Sequence, residues 1–134
     1  MASIGRQERS VKYLLDSNII IAAITASDPP LRDRLAQCDE GDIVTSAIAY
    51  AEVAHGSRNG KPPPIDILDA FLQDIAVLPF DRAAAGRYAS LPFVRASYDR
   101  LIAAHALSQD LTVITKNLRH FADVTGLRAE DWTL

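Results

Sequence analysis

The stretch Val11-Lys-Tyr-Leu-Leu-Asp-Ser-Asn-Ile-Ile-Ile-Ala-Ala-Ile24 decides the fold. It predicts a short buried strand, then a polar tip at Asp16-Ser17-Asn18, then an apolar helix over residues 18–26. An open α/β sheet presents polar side chains in this way at the carboxyl edge of its strands. Asp, Ser and Asn are also common helix N-caps. From these residues alone, a capping role and a functional site are equally supported.

The chain has 134 residues, of which 49% are hydrophobic and 23% charged, with a net charge of −3. These values are typical of a single globular domain with one core. The acidic balance gives no general indication of nucleic-acid binding, although it leaves room for a local basic rim. Cys38 is the single cysteine. The sequence therefore excludes an intrachain disulfide and a cysteine-based zinc site, and it is typical of a reducing cytoplasm.

The longest apolar runs are shorter than the roughly 20 residues that a membrane helix needs, so no membrane association is expected. Residues 1–11 are polar and lack the apolar core of a signal peptide. We expect them to form a flexible extension in front of one domain over residues 12–134.

Predicted strands and helices alternate along the chain. Further strands are expected over residues 43–45, 76–80 and 111–115, with a last edge strand over 132–134, and Pro79 favours an edge position for the second of these. Helices are expected over 31–38, 47–57, 65–75, 82–90 (capped by Asp81) and 98–109, with a helical turn over 118–121. This alternation predicts an α/β fold, with a mainly parallel sheet of four to five strands flanked by helices on both faces.

Two further acids stand on predicted helices. Glu52 lies among small apolar residues, where a glutamate is rarely buried without a partner, although a solvated position would explain it equally simply. Asp99 opens a nearly all-apolar helix, where the helix dipole alone would favour an acid. Together with Asp16, these acids come from three separate elements that can converge on one edge of the sheet.

Three carboxylates at one edge would repel one another and attract a cation. Oxygen ligands without cysteine or clustered histidine suit Mg²⁺ or Mn²⁺ rather than zinc. A divalent ion held by few carboxylates is a common apparatus for phosphodiester hydrolysis. The pattern therefore favours a metal-dependent hydrolase.

Four segments resemble the successive motifs of PIN-domain ribonucleases, and above all the VapC toxins of bacterial toxin–antitoxin pairs. In chain order they are Tyr13-Leu-Leu-Asp-Ser-Asn-Ile19, Thr45-Ser-Ala-Ile-Ala-Tyr-Ala-Glu-Val-Ala-His-Gly56, Tyr98-Asp-Arg-Leu-Ile-Ala-Ala-His-Ala106 and Val113-Ile-Thr-Lys-Asn-Leu-Arg-His-Phe121. The resemblance implies a single PIN-like α/β/α domain with a Mg²⁺- or Mn²⁺-dependent endoribonuclease site. The family's acidic positions fall on Asp16, Glu52 and Asp99.

The resemblance also implies supporting residues and partners. Asn18 and Ser46 fall on positions that support the first acid, and Thr115 and Asn117 on positions that line the far side. Relatives of this kind act on structured RNA such as tRNA or ribosomal RNA, and a cognate VapB-type antitoxin neutralises them. A homodimer, and a heterotetramer or larger complex with the antitoxin, are expected. Candidates for RNA phosphate contacts are Arg100, Lys116 and Arg119.

The sequence departs from the family pattern after the last motif strand. The family usually has a fourth acid there, whereas this chain has Lys116 and His120. We expect either weaker metal binding or a three-acid site that is completed by water or by His120, since a neutral histidine can bind a metal. Asp123 is a further candidate for the missing acid. With Asp16 assigned to the site, Ser17 or Asn18 is expected to cap the first helix.

Three other interpretations remain open at this point. A haloacid-dehalogenase-like phosphatase would use Asp16, Thr45-Ser46 and Lys116, but it needs a second acid where this chain has Asn18. A receiver-type signalling module needs adjacent acids after the first strand, and Leu15-Asp16-Ser17 does not supply them. An inactive PIN scaffold that binds a protein partner would be compatible with the missing fourth acid.

Overall fold

The computed structural model describes residues 12–93 and 96–134, so the predicted extension over residues 1–11 lies outside the described residues. The described chain contains five strands and six α-helices. The strands are β1 (Tyr13–Leu15), β2 (Ile43–Ser46), β3 (Ala76–Leu78), β4 (Thr112–Ile114) and β5 (Arg128–Glu130). The helices are α1 (Ser17–Thr25), α2 (Pro29–Ala36), α3 (Ala47–Arg58), α4 (Ile65–Phe71), α5 (Arg82–Ser90) and α6 (Tyr98–Ser108).

The five strands form one sheet in the order β3-β2-β1-β4-β5, and every neighbouring pair is parallel. This confirms the predicted parallel α/β architecture and the edge position of β3. Leu15 is opposite Thr45 on one side and Ile114 on the other. Because parallel strands end at the same edge, Asp16, Ser46 and Thr115 come from three neighbouring strand ends.

The core lies on both faces of the central strands. Leu14 and Leu15 of β1 and Ile114 of β4 are completely buried. A parallel strand covered on both faces needs a continuous apolar sequence rather than an alternating one, and this explains the run before the polar tip. Helix α6 is buried from Ile102 to Ala106, which agrees with its almost entirely apolar sequence.

Two element predictions differ from the structure. The last strand is β5, Arg128–Glu130, which pairs with β4, so the prediction of a strand over residues 132–134 was wrong. The apolar character there belongs to Trp132, whose buried ring packs edge-on against Tyr13 at 4.8 Å between centroids. The helix predicted over 65–75 ends at Phe71 and is followed by a 3₁₀ turn, Leu72–Asp74.

The described helices were compared with the requirements for a membrane-spanning helix. None of them combines the length and the apolar character that crossing a bilayer requires.

Truncation of Leu14 tests the central role of β1. Leu14→Ala removes a completely buried side chain from the middle strand and should lower the free energy of unfolding by about 2–5 kcal/mol. Leu118, which is 40% exposed, provides a matched control, and Leu118→Ala should cost well under about 1 kcal/mol. Urea unfolding of both variants measures the difference. Equal losses would contradict the placement of β1 in the core.

Candidate active site at the carboxyl edge of the sheet

Asp16 stands at the centre of the site, directly after β1. Its side chain is buried, with 2% of the residue exposed. Its Oδ1 accepts a hydrogen bond from the backbone N–H of Ile19 at 3.0 Å, so Asp16 itself is the N-cap of α1. The prediction that Ser17 or Asn18 caps this helix was therefore wrong. A carboxylate has four lone-pair positions, so one residue can serve as the cap and still offer oxygen atoms to a ligand.

The surroundings of Asp16 disfavour its charged form. Burial raises the pKa of this carboxyl from 3.8 to about 6, and the negative charges of Asp99 and Glu52 add to the increase. The Thr115 hydroxyl and the Ile19 amide oppose the shift, but they are outweighed. A buried carboxylate with two acids near it and a raised pKa is a frequent signature of a functional site.

Glu52 reaches the same place from the second turn of α3. Its Oε1 accepts a hydrogen bond from the Ser17 hydroxyl at 3.1 Å, which links α3 to the start of α1. Burial raises the pKa of Glu52, and the charge of Asp99 raises it further, while the Ser17 hydrogen bond lowers it. Glu52 is thus a partly buried, oriented carboxylate and not a freely solvated side chain. Sequence reasoning missed this role of Ser17, although its position directly after Asp16 was the available signal.

Asp99 lies in the first turn of α6 and contacts His120. The His120 Nδ1 atom is 2.8 Å from Asp99 Oδ2. Because an ionised carboxylate only accepts hydrogen bonds, this contact places the proton on Nδ1. The Asp99 side chain is 29% exposed and that of His120 is 51% exposed. The histidine at the position where the resemblance implied a fourth acid therefore bonds to one of the three acids and orients it.

Two of the predicted supporting residues follow β4. Thr115 is buried, and its Oγ1 accepts a hydrogen bond from the Asn117 backbone N–H at 3.0 Å. Thr115 also lowers the pKa of Asp16, so it lies beside that carboxylate. Thr45, at the neighbouring strand end, donates to the Leu15 carbonyl at 2.7 Å and thereby fixes the backbone that carries Asp16.

Ser46 has different partners from those the resemblance implied. Its Oγ accepts from the Ile48 backbone N–H at 3.0 Å, which caps α3, and lies 2.7 Å from Nδ1 of the buried His105. The hydroxyl therefore secures the start of the helix that carries Glu52. Asn18 is exposed at the start of α1, on a cleft that Glu52 also lines.

Arg100 does not face an RNA-binding surface. It is buried, and its guanidinium bonds Asp123 Oδ2 at 3.2 Å and the Pro92 carbonyl at 2.8 Å. The prediction that Arg100 binds phosphate is therefore wrong, because its charge is already satisfied inside the protein. The same ion pair engages one carboxylate oxygen of Asp123, the further candidate for the missing acid.

The other two predicted phosphate-binding residues remain at the surface. Lys116 Nζ lies 3.2 Å from Asp28 Oδ2, between the end of β4 and the α1–α2 connection. Lys116 therefore pairs with an acid outside the site rather than with one of the three site acids. Arg119 is exposed, and within residues 12–93 and 96–134 it makes no ion pair.

The donor set fits a hard divalent cation. In the described part of the chain no group of three His, Cys, Asp or Glu side chains is already arranged to hold a metal ion. Mg²⁺, however, usually binds through one or two carboxylates and keeps several waters. Asp16 with Glu52 or Asp99 supplies such a pair. A cation between them would offset the desolvation cost and the charge repulsion that raise the pKa of Asp16. We therefore take these oxygens as suited to Mg²⁺ or Mn²⁺.

The raised pKa of Asp16 predicts that this residue destabilises the metal-free protein at neutral pH. A folded-state pKa of about 6 against 3.8 means that ionisation favours the unfolded chain as pH rises through this window. Asp16→Asn keeps a capping oxygen and should raise the unfolding free energy at pH 7 in EDTA, by about 3 kcal/mol at most. The gain should shrink as the pH falls through this window and be nearly gone at about pH 3.5, where the carboxyl is mostly protonated in both states.

Thermal and urea unfolding between pH 3.5 and 8 measure this effect. Asp33→Asn, on the exposed side of α2, is the matched control and should show no such pH-dependent gain. If the Asp16→Asn variant is as stable as the wild type, or less stable, at pH 7 in EDTA, the Asp16 carboxylate does not destabilise the metal-free fold and the prediction fails.

Comparison with known proteins supplies the family. A family model for the PIN domain matches residues 13–127. The tRNA(fMet)-specific endonuclease VapC of Shigella flexneri is 31% identical over 132 residues, which cover 92% of this chain and 99% of that protein. The VapBC2 complex of Rickettsia felis, bound to a DNA fragment from its promoter, superimposes with a TM-score of 0.81 at 26% identity, covering 91% of this chain and 99% of the matched one. The DNA-bound VapBC complex of Salmonella typhimurium gives a TM-score of 0.76 at 30% identity, with 91% and 98% coverage. These matches span the strand ends and all three acids, and the chain belongs to the VapC proteins of the PIN-domain family.

Proposed function

We propose that this protein is a Mg²⁺- or Mn²⁺-dependent endoribonuclease toxin that hydrolyses phosphodiester bonds in structured RNA. One observation carries the proposal: the buried carboxylate of Asp16 lies within the electrostatic reach of Glu52 and Asp99. None of these three acids forms an ion pair with a lysine or arginine in the described part of the chain. Such a cluster is costly unless a cation joins it, and an all-oxygen cation site is a common apparatus for phosphodiester hydrolysis.

In this proposal each side chain has a separate task. Asp16 and Asp99 would hold the cation, which would supply Lewis-acid chemistry: charge stabilisation at the phosphoryl group and a more acidic bound water. Ser17 fixes one oxygen of Glu52, so the other can accept a proton from the attacking water. His120 donates from Nδ1 to Asp99. In its doubly protonated form, the imidazolium would also carry a proton on Nε2, which could be donated to the phosphate or to the leaving oxygen.

We also propose a cognate VapB-type antitoxin as partner and the cytoplasm as the place of action. The similarity to the VapBC complexes supports the partner, and an RNA substrate supports the location. A groove of about 550 Å³ between the ends of α2 and α4 provides a docking surface, with Leu35 and Phe71 in its apolar wall. Its acidic rim, which includes Asp39, Glu40 and Asp74, favours a basic amphipathic segment.

The competing interpretations explain fewer of the observed contacts. A haloacid-dehalogenase-like phosphatase would need its lysine at the reacting aspartate, whereas Lys116 pairs with Asp28. An inactive binding scaffold would explain Asp16 as the N-cap of α1, but it gives no reason for Glu52 and Asp99 to lie near this buried carboxylate. The missing fourth acid does not require inactivity, because His120 occupies that side of the site and bonds Asp99.

Removal of either central acid should abolish RNA cleavage. Asp16→Asn and Asp99→Asn keep the side-chain shape but remove a metal-binding charge, so cleavage with Mg²⁺ or Mn²⁺ should fall at least about 100-fold. Sequencing of RNA ends after induction, with cleavage assays in Mg²⁺ and in EDTA, measures the loss. Asp33→Asn should cleave like the wild type. A folded Asp16→Asn or Asp99→Asn protein that still cuts RNA and arrests growth would refute the assigned site.

His120 should affect metal binding through Asp99. His120→Ala removes the 2.8 Å contact and leaves Asp99 free to rotate, so metal affinity and activity should each fall by about 10- to 100-fold. His120→Gln offers a side-chain N–H in a similar place and should recover part of the loss. Manganese titration by calorimetry, together with cleavage rates, tests this expectation. Binding and activity indistinguishable from the wild type in His120→Ala would exclude both a ligand role and an orienting role.

A further inference from the structure

A cleft of about 230 Å³ opens beside Glu52, between α1 and α3. It is continuous with the acid cluster, because both members of the Ser17–Glu52 hydrogen bond line it. Its remaining lining combines an apolar part and a polar part. The apolar part is formed by Ile21, Val53 and Pro62, and the polar part by Asn18, His55 and Lys61.

The position of Lys61 is fixed by the loop that ends α3. The Lys61 backbone N–H donates to the Gly56 carbonyl at 2.9 Å, and Asn59 donates to the same carbonyl at 3.0 Å. Gly60 has a φ of +88°, which a residue with a side chain rarely adopts, and this turn brings the chain back over the helix. A Cβ atom added at Gly56 would lie 3.7 Å from the Lys61 Cβ, so Lys61 packs directly over this small residue.

The charge of Lys61 is not used inside the protein. Its side chain is exposed, and it makes no ion pair within residues 12–93 and 96–134. The Gly56 turn that it covers is the one directly after Glu52 on α3. Lys61 therefore brings a positive charge to the wall of a cleft that Glu52, one of the three acids, also lines. This arrangement suits an extended anion that passes from the acids along the cleft.

We propose that this cleft is a subsite for the nucleotide adjoining the scissile phosphodiester bond, with Lys61 binding its phosphate. The inference rests on the proposed ribonuclease function. RNA carries a phosphate at each nucleotide, so a strand with one phosphate at the acids presents the next one a short distance away. The apolar lining provides a surface for the sugar or the base. The cleft is smaller than the roughly 300–1,000 Å³ of drug-sized sites, which fits one part of a chain rather than a separate small molecule.

Binding measurements on an inactive parent test the subsite. In the Asp99→Asn background, affinity for fluorescently labelled bulk tRNA is measured by anisotropy at several salt concentrations. Loss of one phosphate contact should weaken binding about five- to eightfold at 0.1 M salt and reduce the salt slope by somewhat less than one. Lys61→Gln should show this loss, and Lys61→Arg should restore most of the affinity. Arg58→Gln removes the same charge from the exposed last residue of α3, outside the cleft lining, and should change affinity less than twofold.

The possible outcomes distinguish a failure of the Lys61 subsite from a failure of the ribonuclease function. Thermal unfolding first shows that the Lys61 and Arg58 variants are folded. If the wild type cuts RNA while Lys61→Gln binds with unchanged affinity and salt slope, the subsite is overturned and the ribonuclease assignment stands. If Arg58→Gln loses as much affinity as Lys61→Gln, the effect is one of general charge, which also overturns the subsite. If the wild type cuts no RNA and the parent binds none, the ribonuclease assignment fails and the subsite fails with it.

Discussion

The burial of the Asp16 carboxylate beside two other acids is the constraint on which the site depends. Charged groups leave water at a high cost unless a partner compensates them, and the described chain gives Asp16 hydrogen bonds but no cation. The fold holds the carboxylate in place regardless, because β1 is central in the sheet and its end is fixed from both neighbouring strands. In the proposed function, a bound divalent ion would recover the stability that is lost at this position.

The contacts around the acids show how the surrounding structure keeps them oriented. Ser17 holds Glu52, His120 holds Asp99, and Thr115 lies at Asp16, so each carboxylate has its own neutral or basic neighbour. None of these neighbours neutralises the cluster in the way that a lysine or arginine would. The protein therefore fixes the orientation of the three carboxylates and leaves their negative charge available to a ligand.

The sequence predicts most of the fold, and it singles out the three acids that the fold brings near one another. The apolar run before Asp16 and the regular alternation of strands and helices are local patterns, and the parallel sheet follows from them. The last strand was misplaced because the apolar signal of Trp132 reflects packing against Tyr13 and not strand pairing. Pairing depends on residues far apart in the chain, and composition carries little information about it.

The partners of individual polar residues were much harder to predict. Arg100 sits next to Asp99 in sequence, yet on a helix adjacent side chains point in different directions, and Arg100 turns inward to Asp123. Ser46 was expected at the first acid but bonds His105 on the far element α6. His120 stands 21 residues from Asp99, and the sequence offers no local pattern that would pair them. Such contacts are set by the tertiary fold, which brings distant segments together at one edge of the sheet.

A direct titration of the Asp16 carboxyl group would test the central claim. Carboxyl ¹³C chemical shifts, followed by NMR in metal-free protein and assigned through Asp16→Asn, report its protonation. The account predicts a midpoint at about pH 6, moving to lower pH when Mg²⁺ is added. A midpoint near the ordinary aspartate value of about 4, with no response to Mg²⁺, would contradict it.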